Sequence, residues 1–325
     1  MRWFRHHLWR RYAIFCQLAP LLPLHVVATT VAPGVTRLSP ENWFIRLLGR
    51  IGGYPYAVAY LIDDEVLVDT CFGWAQKALV DYVNARGLAE SIHTIVVTHE
   101  HEDHFGNAAI LSRLTGAAVF AHPAAHGEIS YPDEARWYRG FLFGPVDPAE
   151  VQVAPHSVST SVRKLELVHT PGHTPGHLVA FDTRNGIMFA GDLFLEVELD
   201  AQLADADGPS WLASLDRVAA LNVELLADGH GTVLSGPDAK NALAGKAAFL
   251  REMQASVAEH IAAGPTAIQA IARATADDGL VNSISYGEGR MSLLTGNDFS
   301  RSNLVRTFVH KLIADQANAS PNSTT

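Results

Sequence analysis

The stretch Thr98-His99-Glu100-His101-Glu102-Asp103-His104-Phe105-Gly106 constrains this chain more than any other. It places three histidines and three carboxylates in six consecutive positions, directly after the apolar run from Ile92 to Val97. A short run rich in β-branched residues predicts a buried strand. The polar cluster then falls at the strand's C-terminal end, where a loop turns side chains toward a common point. Alternate residues of an extended chain face the same way, so His99 and His101 can share one ion. Asp103 and His104 follow once the chain begins to turn, and can reach a second ion beside the first. Neutral imidazole and carboxylate suit zinc, iron or manganese. Taken alone, the cluster also fits a solvated, histidine-rich loop.

Further ligand-type residues stand at the ends of other predicted strands. The strand Val162 to Val168 runs into His169-Thr170-Pro171-Gly172-His173-Thr174-Pro175-Gly176-His177, where two Pro-Gly pairs fix the loop and can hold His173 rigidly. Leu178 to Phe181 and Ile187 to Ala190 flank Asn185-Gly186, a hairpin signal, and the second strand stops at Gly191-Asp192. Val223 to Ala227 ends at Asp228-Gly229-His230-Gly231. His99, His101, Asp103, His104, His173, Asp192 and His230 thus suffice for two ions, with Asp192 able to bridge them. Asp69, closing the strand Glu65 to Val68, can orient a ligand imidazole or cap the turn that follows.

The remaining elements predict an α/β fold. Val31 to Leu38 reads as holding a first strand, entered through Pro33-Gly34, and Ala57 to Ile62 with Glu65 to Val68 as a hairpin turning at Asp63-Asp64. Helices over Trp74 to Arg86 and Asn107 to Leu114 alternate with strands at Ile92 to Val97 and Ala117 to Ala121, which implies a sheet covered by helices. Residues 127–161 are irregular and hold Arg136, Trp137, Tyr138, Arg139, Phe141 and Phe143, a lid, a substrate wall or a packed surface segment. Ser210 is placed to cap a helix with Trp211, Leu215, Val218 and Leu221 on one face. From Asp238 only helices are expected: Ala239 to Ala263, Thr266 to Ala274 and Phe299 to Ala314. The domain reading is an N-terminal extension (1–30), a catalytic domain (31–237), a helical region capping the site (238–316) and a tail (317–325).

With a formal charge of −10 and no run of Lys or Arg beyond the first turn, the chain offers no basic groove for nucleic acid. Its two cysteines, Cys16 and Cys71, form no disulfide framework and fit a reducing, cytoplasmic compartment. The basic Met1 to Arg11 and apolar Tyr12 to Ala28 give a weak signal-like pattern, broken by Gln17, Pro20, Pro23 and His25. No stable membrane insertion is expected, and the expected partner is a small-molecule substrate, with a homodimer compatible. Among other candidates, His177 and His122 read as structural histidines and Cys71 as a small buried hydrophobe.

Taken together and in order, the His-Glu-His-Glu-Asp-His, Pro-Gly-His-Thr, Gly-Asp and Gly-His-Gly motifs resemble the hydrolase branch of the metallo-β-lactamase superfamily. The resemblance spans roughly Val31 to Pro237. It implies an αββα sandwich with the site at one sheet edge and a C-terminal helical extension. It implies that His99, His101 and His173 hold a first metal, that Asp103, His104 and His230 hold a second, and that Asp192 stands between. Zinc is the implied metal, with iron or manganese as alternatives. Asp69 matches the family's supporting aspartate. Two departures spare every ligand: Cys71 stands at a position usually glycine, and Asp228 where many members have proline.

Two divalent ions about 3.5–4 Å apart share a water and lower its pKa toward about 7. The implied reaction is attack by a metal-bridging hydroxide on a small ester, thioester or lactone carbonyl, with Asp103 as the catalytic carboxylate and no Ser or Cys nucleophile. The alternatives within the superfamily are phosphodiester cleavage, as in its nuclease branch, and persulfide-dioxygenase-like oxidation.

Overall fold

In a computed structural model, residues 22–43, 45–46, 56–132, 139–140, 143–197, 202–262, 298–300 and 302–319 are described. The signal-like N-terminus, the expected helix at Thr266 to Ala274 and the aromatic residues Trp137, Tyr138 and Phe141 lie outside them. The chain divides into two units, one of residues 1–170, 176–195 and 221–240, the other of 171–175, 196–220 and 241–325.

The first unit is built on two mixed sheets. One orders seven strands consecutively: β1 (His25–Ala32), β2 (Val35–Glu41), β3 (Ala59–Ile62), β4 (Val66–Val68), β5 (Thr94–Val96), β6 (Ala118–Ala121) and β7 (Gln152–Val153). β1 to β4 pair antiparallel, with short turns joining β1 to β2 and β3 to β4, and β4, β5 and β6 run parallel. Each parallel step from β4 to β6 needs a crossover, supplied by α1 (Gln76–Ala85) and then by α2 (Glu102–Phe105) with α3 (Ala108–Thr115), and the short α4 (His126–Ser130) follows β6. The second sheet holds β8 (Ser157–Ser159), β9 (Lys164–His169), β10 (Leu178–Asp182), β11 (Ile187–Gly191), β13 (Leu225–Asp228) and β14 (Val233–Ser235).

Strand alternation sorts the core into two layers. Leu61, Leu67 and Ile95 point to one face and cluster with Leu79, Val83 and Leu111 of the helices. Their neighbours Tyr60, Ile62, Val66, Val68 and Val96 point to the other and meet Leu165, Leu178, Ala180 and Phe189 of the second sheet. A one-residue slip of register would exchange these sets, so the apolar pattern fixes both the pairing and the sandwich.

The second unit carries α5 (Gly208–Val218), most of α6 (Pro237–Ala262), α7 (Ser302–Ala319), and β12 (Gln202–Leu203) paired with β15 (Phe299–Ser300). No helix among the described residues is long and apolar enough to cross a membrane.

Three local expectations are corrected. The single strand expected over Val31 to Leu38 is a hairpin, because Pro33 and Gly34 form a turn with Gly34 at φ +70° and the residues before it pair as β1. The α5 cap is Asp207, whose Oδ1 accepts the Ser210 N–H at 2.8 Å, with Pro209 in the first turn. Phe299 and Ser300 are strand, and the last helix begins at Ser302.

Candidate metal centre

The C-terminal ends of β5, β11 and β13 and the short helix α2 bring together six of the seven sequence-predicted ligands, all in the first unit. His99 and His101 follow β5, Asp103 and His104 lie on α2, Asp192 follows β11 and His230 follows β13. All six are buried. One ligand atom from each of His99, His104 and Asp192 lies within 4.8 Å of the others, and the same holds for Asp103, His104 and His230. Asp192 stands between the imidazoles: its oxygens are 3.4 Å from His104 Nε2, 3.4 Å from His230 Nε2 and 3.9 Å from His99 Nε2. Asp103 Oδ2 is 3.8 Å from both His104 Nε2 and His230 Nε2.

The seventh residue, His173, sits on the 171–175 loop of the second unit. Its ring meets Trp211 edge-on at 5.4 Å. Ser214 Oγ donates to the Pro171 carbonyl at 2.7 Å, and the Asp207 N–H donates to the Gly172 carbonyl at 2.7 Å. Three contacts thus fix the loop on α5.

Asp69 supports the ligands and does not merely cap a turn. Its Oδ1 accepts the Thr98 N–H at 2.7 Å, and its Oδ2 accepts the Thr98 hydroxyl at 2.8 Å and His104 Nδ1–H at 2.9 Å. A carboxylate only accepts, so His104 carries its proton on Nδ1 and turns Nε2 toward Asp192 and His230. Thr98 Oγ1, with its hydrogen committed to Asp69, can only accept from His99 Nδ1 at 3.0 Å, which places the His99 proton on Nδ1 and leaves Nε2 as the acceptor nitrogen. One aspartate therefore sets the tautomers of two ligand histidines.

Local geometry explains the motif's other residues. The Asp192 N–H donates to His177 Nε2 at 3.0 Å, while His177 Nδ1 meets Thr170 Oγ1 at 2.9 Å. His177 thus orients the backbone of Asp192. A side chain on Gly229 would strike His104 Cε1 and Asp192 Oδ1, and one on Gly191 would strike His177 and Thr98, so both positions demand glycine. Asp228 replaces the ring constraint of proline by hydrogen bonding: its Oδ1 accepts the N–H groups of His230 at 2.9 Å and Thr232 at 2.7 Å. From the first sheet, the Tyr60 hydroxyl donates to the Asp228 carbonyl at 2.7 Å and Arg37 Nη1 to the Gly231 carbonyl at 2.5 Å. Cys71 stands at φ +56°, which shows why glycine is favoured there; a non-glycine residue bears about 1–2 kcal/mol of strain. Burial pushes its thiol well up, so it acts as a core residue. His122 stacks on His169 at 3.6 Å between ring centroids, and neither belongs to a candidate ligand group among the described residues.

The donor set fits divalent cations. His104 Nε2 is buried and makes no hydrogen bond, and His99 Nε2 lies 3.1 Å from His101 Nδ1, a convergence that a shared proton or a shared cation would hold. Burial opposes charge on His104, but Asp192, Asp103 and Asp69 outweigh it and push its pKa up to about 10. Burial likewise opposes charge on His230, which Asp192 and Asp103 raise to about 9. Both imidazoles are therefore cationic at neutral pH in the metal-free protein, standing in for the positive charge of an ion.

This predicts proton-coupled metal uptake. Zinc titrated into metal-free protein at neutral pH should displace about two protons, measured calorimetrically in buffers of different ionisation enthalpy. Since both pKa values are raised on folding, their contribution to metal-free stability is full below about pH 6.5 and lost as pH rises through 9 to 10. Metal binding without proton release would contradict the assignment.

Comparison with known proteins agrees with this geometry. The chain is 25% identical over 51% of its length to an acyl-coenzyme A thioesterase, MBLAC2, from Gallus gallus, covering 68% of that protein. It is 29% identical over 40% of its length to a hydroxyacylglutathione hydrolase from Aeromonas hydrophila, covering 44% of it. A beta-lactamase domain protein from Burkholderia ambifaria shares the fold with a TM-score of 0.60 at 18% identity, covering 89% of this chain and 88% of that one. The model of the metallo-beta-lactamase superfamily matches residues 52–230, more than half of the chain, and the chain belongs to that superfamily.

Proposed function

We propose that the protein is a dinuclear metal-dependent hydrolase of small thioesters, esters or lactones. The observation that carries this reading is the position of Asp192, whose Oδ2 lies 3.9 Å from His99 Nε2 and 3.4 Å from His230 Nε2 while its Oδ1 lies 3.4 Å from His104 Nε2. His99, His101 and His173 would hold one ion, Asp103, His104 and His230 the other, with Asp192 shared. Zinc suits five imidazoles and two carboxylates best. When bound, the ions supply a water ionised near neutral pH and Lewis acidity toward the carbonyl oxygen.

The chain's own residues do the rest. Asp103 Oδ2 accepts a proton from the attacking water and aligns it. Asp69 holds His104 and, through Thr98, His99 in the tautomers that direct Nε2 inward. His177 and Asp228 fix the backbones of Asp192 and His230. The thioesterase and hydroxyacylglutathione hydrolase relatives support the acyl substrate class, and the scarcity of Lys and Arg argues against a polyanionic nucleic acid.

The test couples elemental analysis of purified protein to a panel of acyl-CoA and glutathione thioesters, aryl esters, lactones and a chromogenic phosphodiester. About two metal ions per chain and turnover of the acyl substrates, lost on chelation and restored by zinc, are expected. Turnover of the phosphodiester alone would move the protein to phosphoryl chemistry, and oxygen uptake with a persulfide would move it to oxidation.

A further inference from the structure

The motif holds three carboxylates, and the proposed function uses only Asp103 of them. Glu100 and Glu102 are nevertheless buried beside the ligands. A carboxylate next in sequence to His101 and Asp103 is itself a competent ligand for a divalent ion, with a preference for harder cations. Each surplus carboxylate has a specific partner. Glu100 Oε1 accepts the Gly176 N–H at 3.1 Å. Glu102 Oε2 accepts from Arg139 Nη1 at 3.0 Å, and Arg139 is only 2% exposed. Arg139 comes from the irregular region between β6 and β7, not from α2. That region carries its own local turn, in which the Gly144 N–H donates to the Gly140 carbonyl at 2.9 Å, and Phe143 and Val146 anchor it by packing against the helix-covered core.

We propose that Arg139 is a positioning residue of the metal centre: it binds the Glu102 carboxylate and keeps it out of the ligand set, leaving Asp103 and His104 to face Asp192 and His230 without a competing carboxylate. The inference rests on the metal-site reading above. Planar guanidinium suits the task better than ammonium, because it stays charged when buried and fixes a carboxylate's direction.

The test compares wild type with R139Q, R139K, E102Q and the double variant E102Q/R139Q, measuring zinc stoichiometry and affinity by chelator competition. R139Q should weaken one of the two ions by about 10–100-fold. R139K should fall between R139Q and wild type. E102Q/R139Q should return near the wild-type affinity, because the competing carboxylate is gone. Unchanged affinity in R139Q, or a double variant no better than R139Q, would overturn the inference. If R139Q does not fold, E102Q decides: it breaks the ion pair yet should keep both ions, and loss of one would show that the pair is only a structural prop. Wild-type protein that binds no zinc would sink the metal-site reading itself, which is a different result from wild-type binding untouched by R139Q.

Discussion

Asp103→Asn is expected to lower acyl hydrolysis by about 10²- to 10⁴-fold, the range for losing a positioned proton acceptor. The fold should survive, because the first turn of α2 is held by backbone hydrogen bonds from the His104 and Thr70 N–H groups and by Arg139 on Glu102. Asparagine keeps the shape of the side chain and one coordinating oxygen, but neither accepts a proton nor offsets the charge on His104 and His230. The loss should therefore fall on kcat more than on KM, with circular dichroism unchanged. Wild-type turnover in this variant would remove Asp103 from the chemistry.

The second large effect is expected at Asp69. Alanine there leaves the buried Thr98 N–H and His104 Nδ1–H without acceptors, each costing about 1–3 kcal/mol. The backbone at φ +59° adds about 1 kcal/mol, since alanine tolerates the left-handed region less well than aspartate. A total of roughly 3 kcal/mol or more should appear in the denaturation midpoint of the metal-free protein. Asp69→Asn separates stability from function. Its carbonyl can still accept from Thr98, but its amide then faces His104 Nδ1 and favours the tautomer with the proton on Nε2. Zinc affinity should drop about 10–100-fold while the fold persists. Intact zinc binding in Asp69→Asn would show that His104 is oriented by packing alone.

Much of the candidate site was legible in the sequence, because several of its residues follow strands and strands announce themselves by composition and period. His99 and His101 at alternate positions, Asp192 after Gly191 and His230 after Gly229 all stand where that reading put them. What escaped it were partners joined only by tertiary structure. The bond from Asp192 to His177 needs the β10–β11 register, and Arg139 reaches Glu102 from a segment with no periodic signal. Thr98 could have been found, since a hydroxyl before the first motif histidine lies within reach of Asp69. The α5 cap was misplaced because Asp207 and Ser210 are equally good cap residues locally; the proline at 209 breaks the tie in favour of Asp207. β1 was missed because its residues are only partly buried and alternate weakly.

The candidate ligands enter the chain in separate instalments, with His230 arriving after every strand of the two large sheets except β14. No fragment ending before β13 can close the second cation's cage. On the proposed dinuclear reading, acquisition of that cation would be a terminal event of maturation, sensitive to slow pairing of distant strands and to whatever chelators surround the nascent molecule.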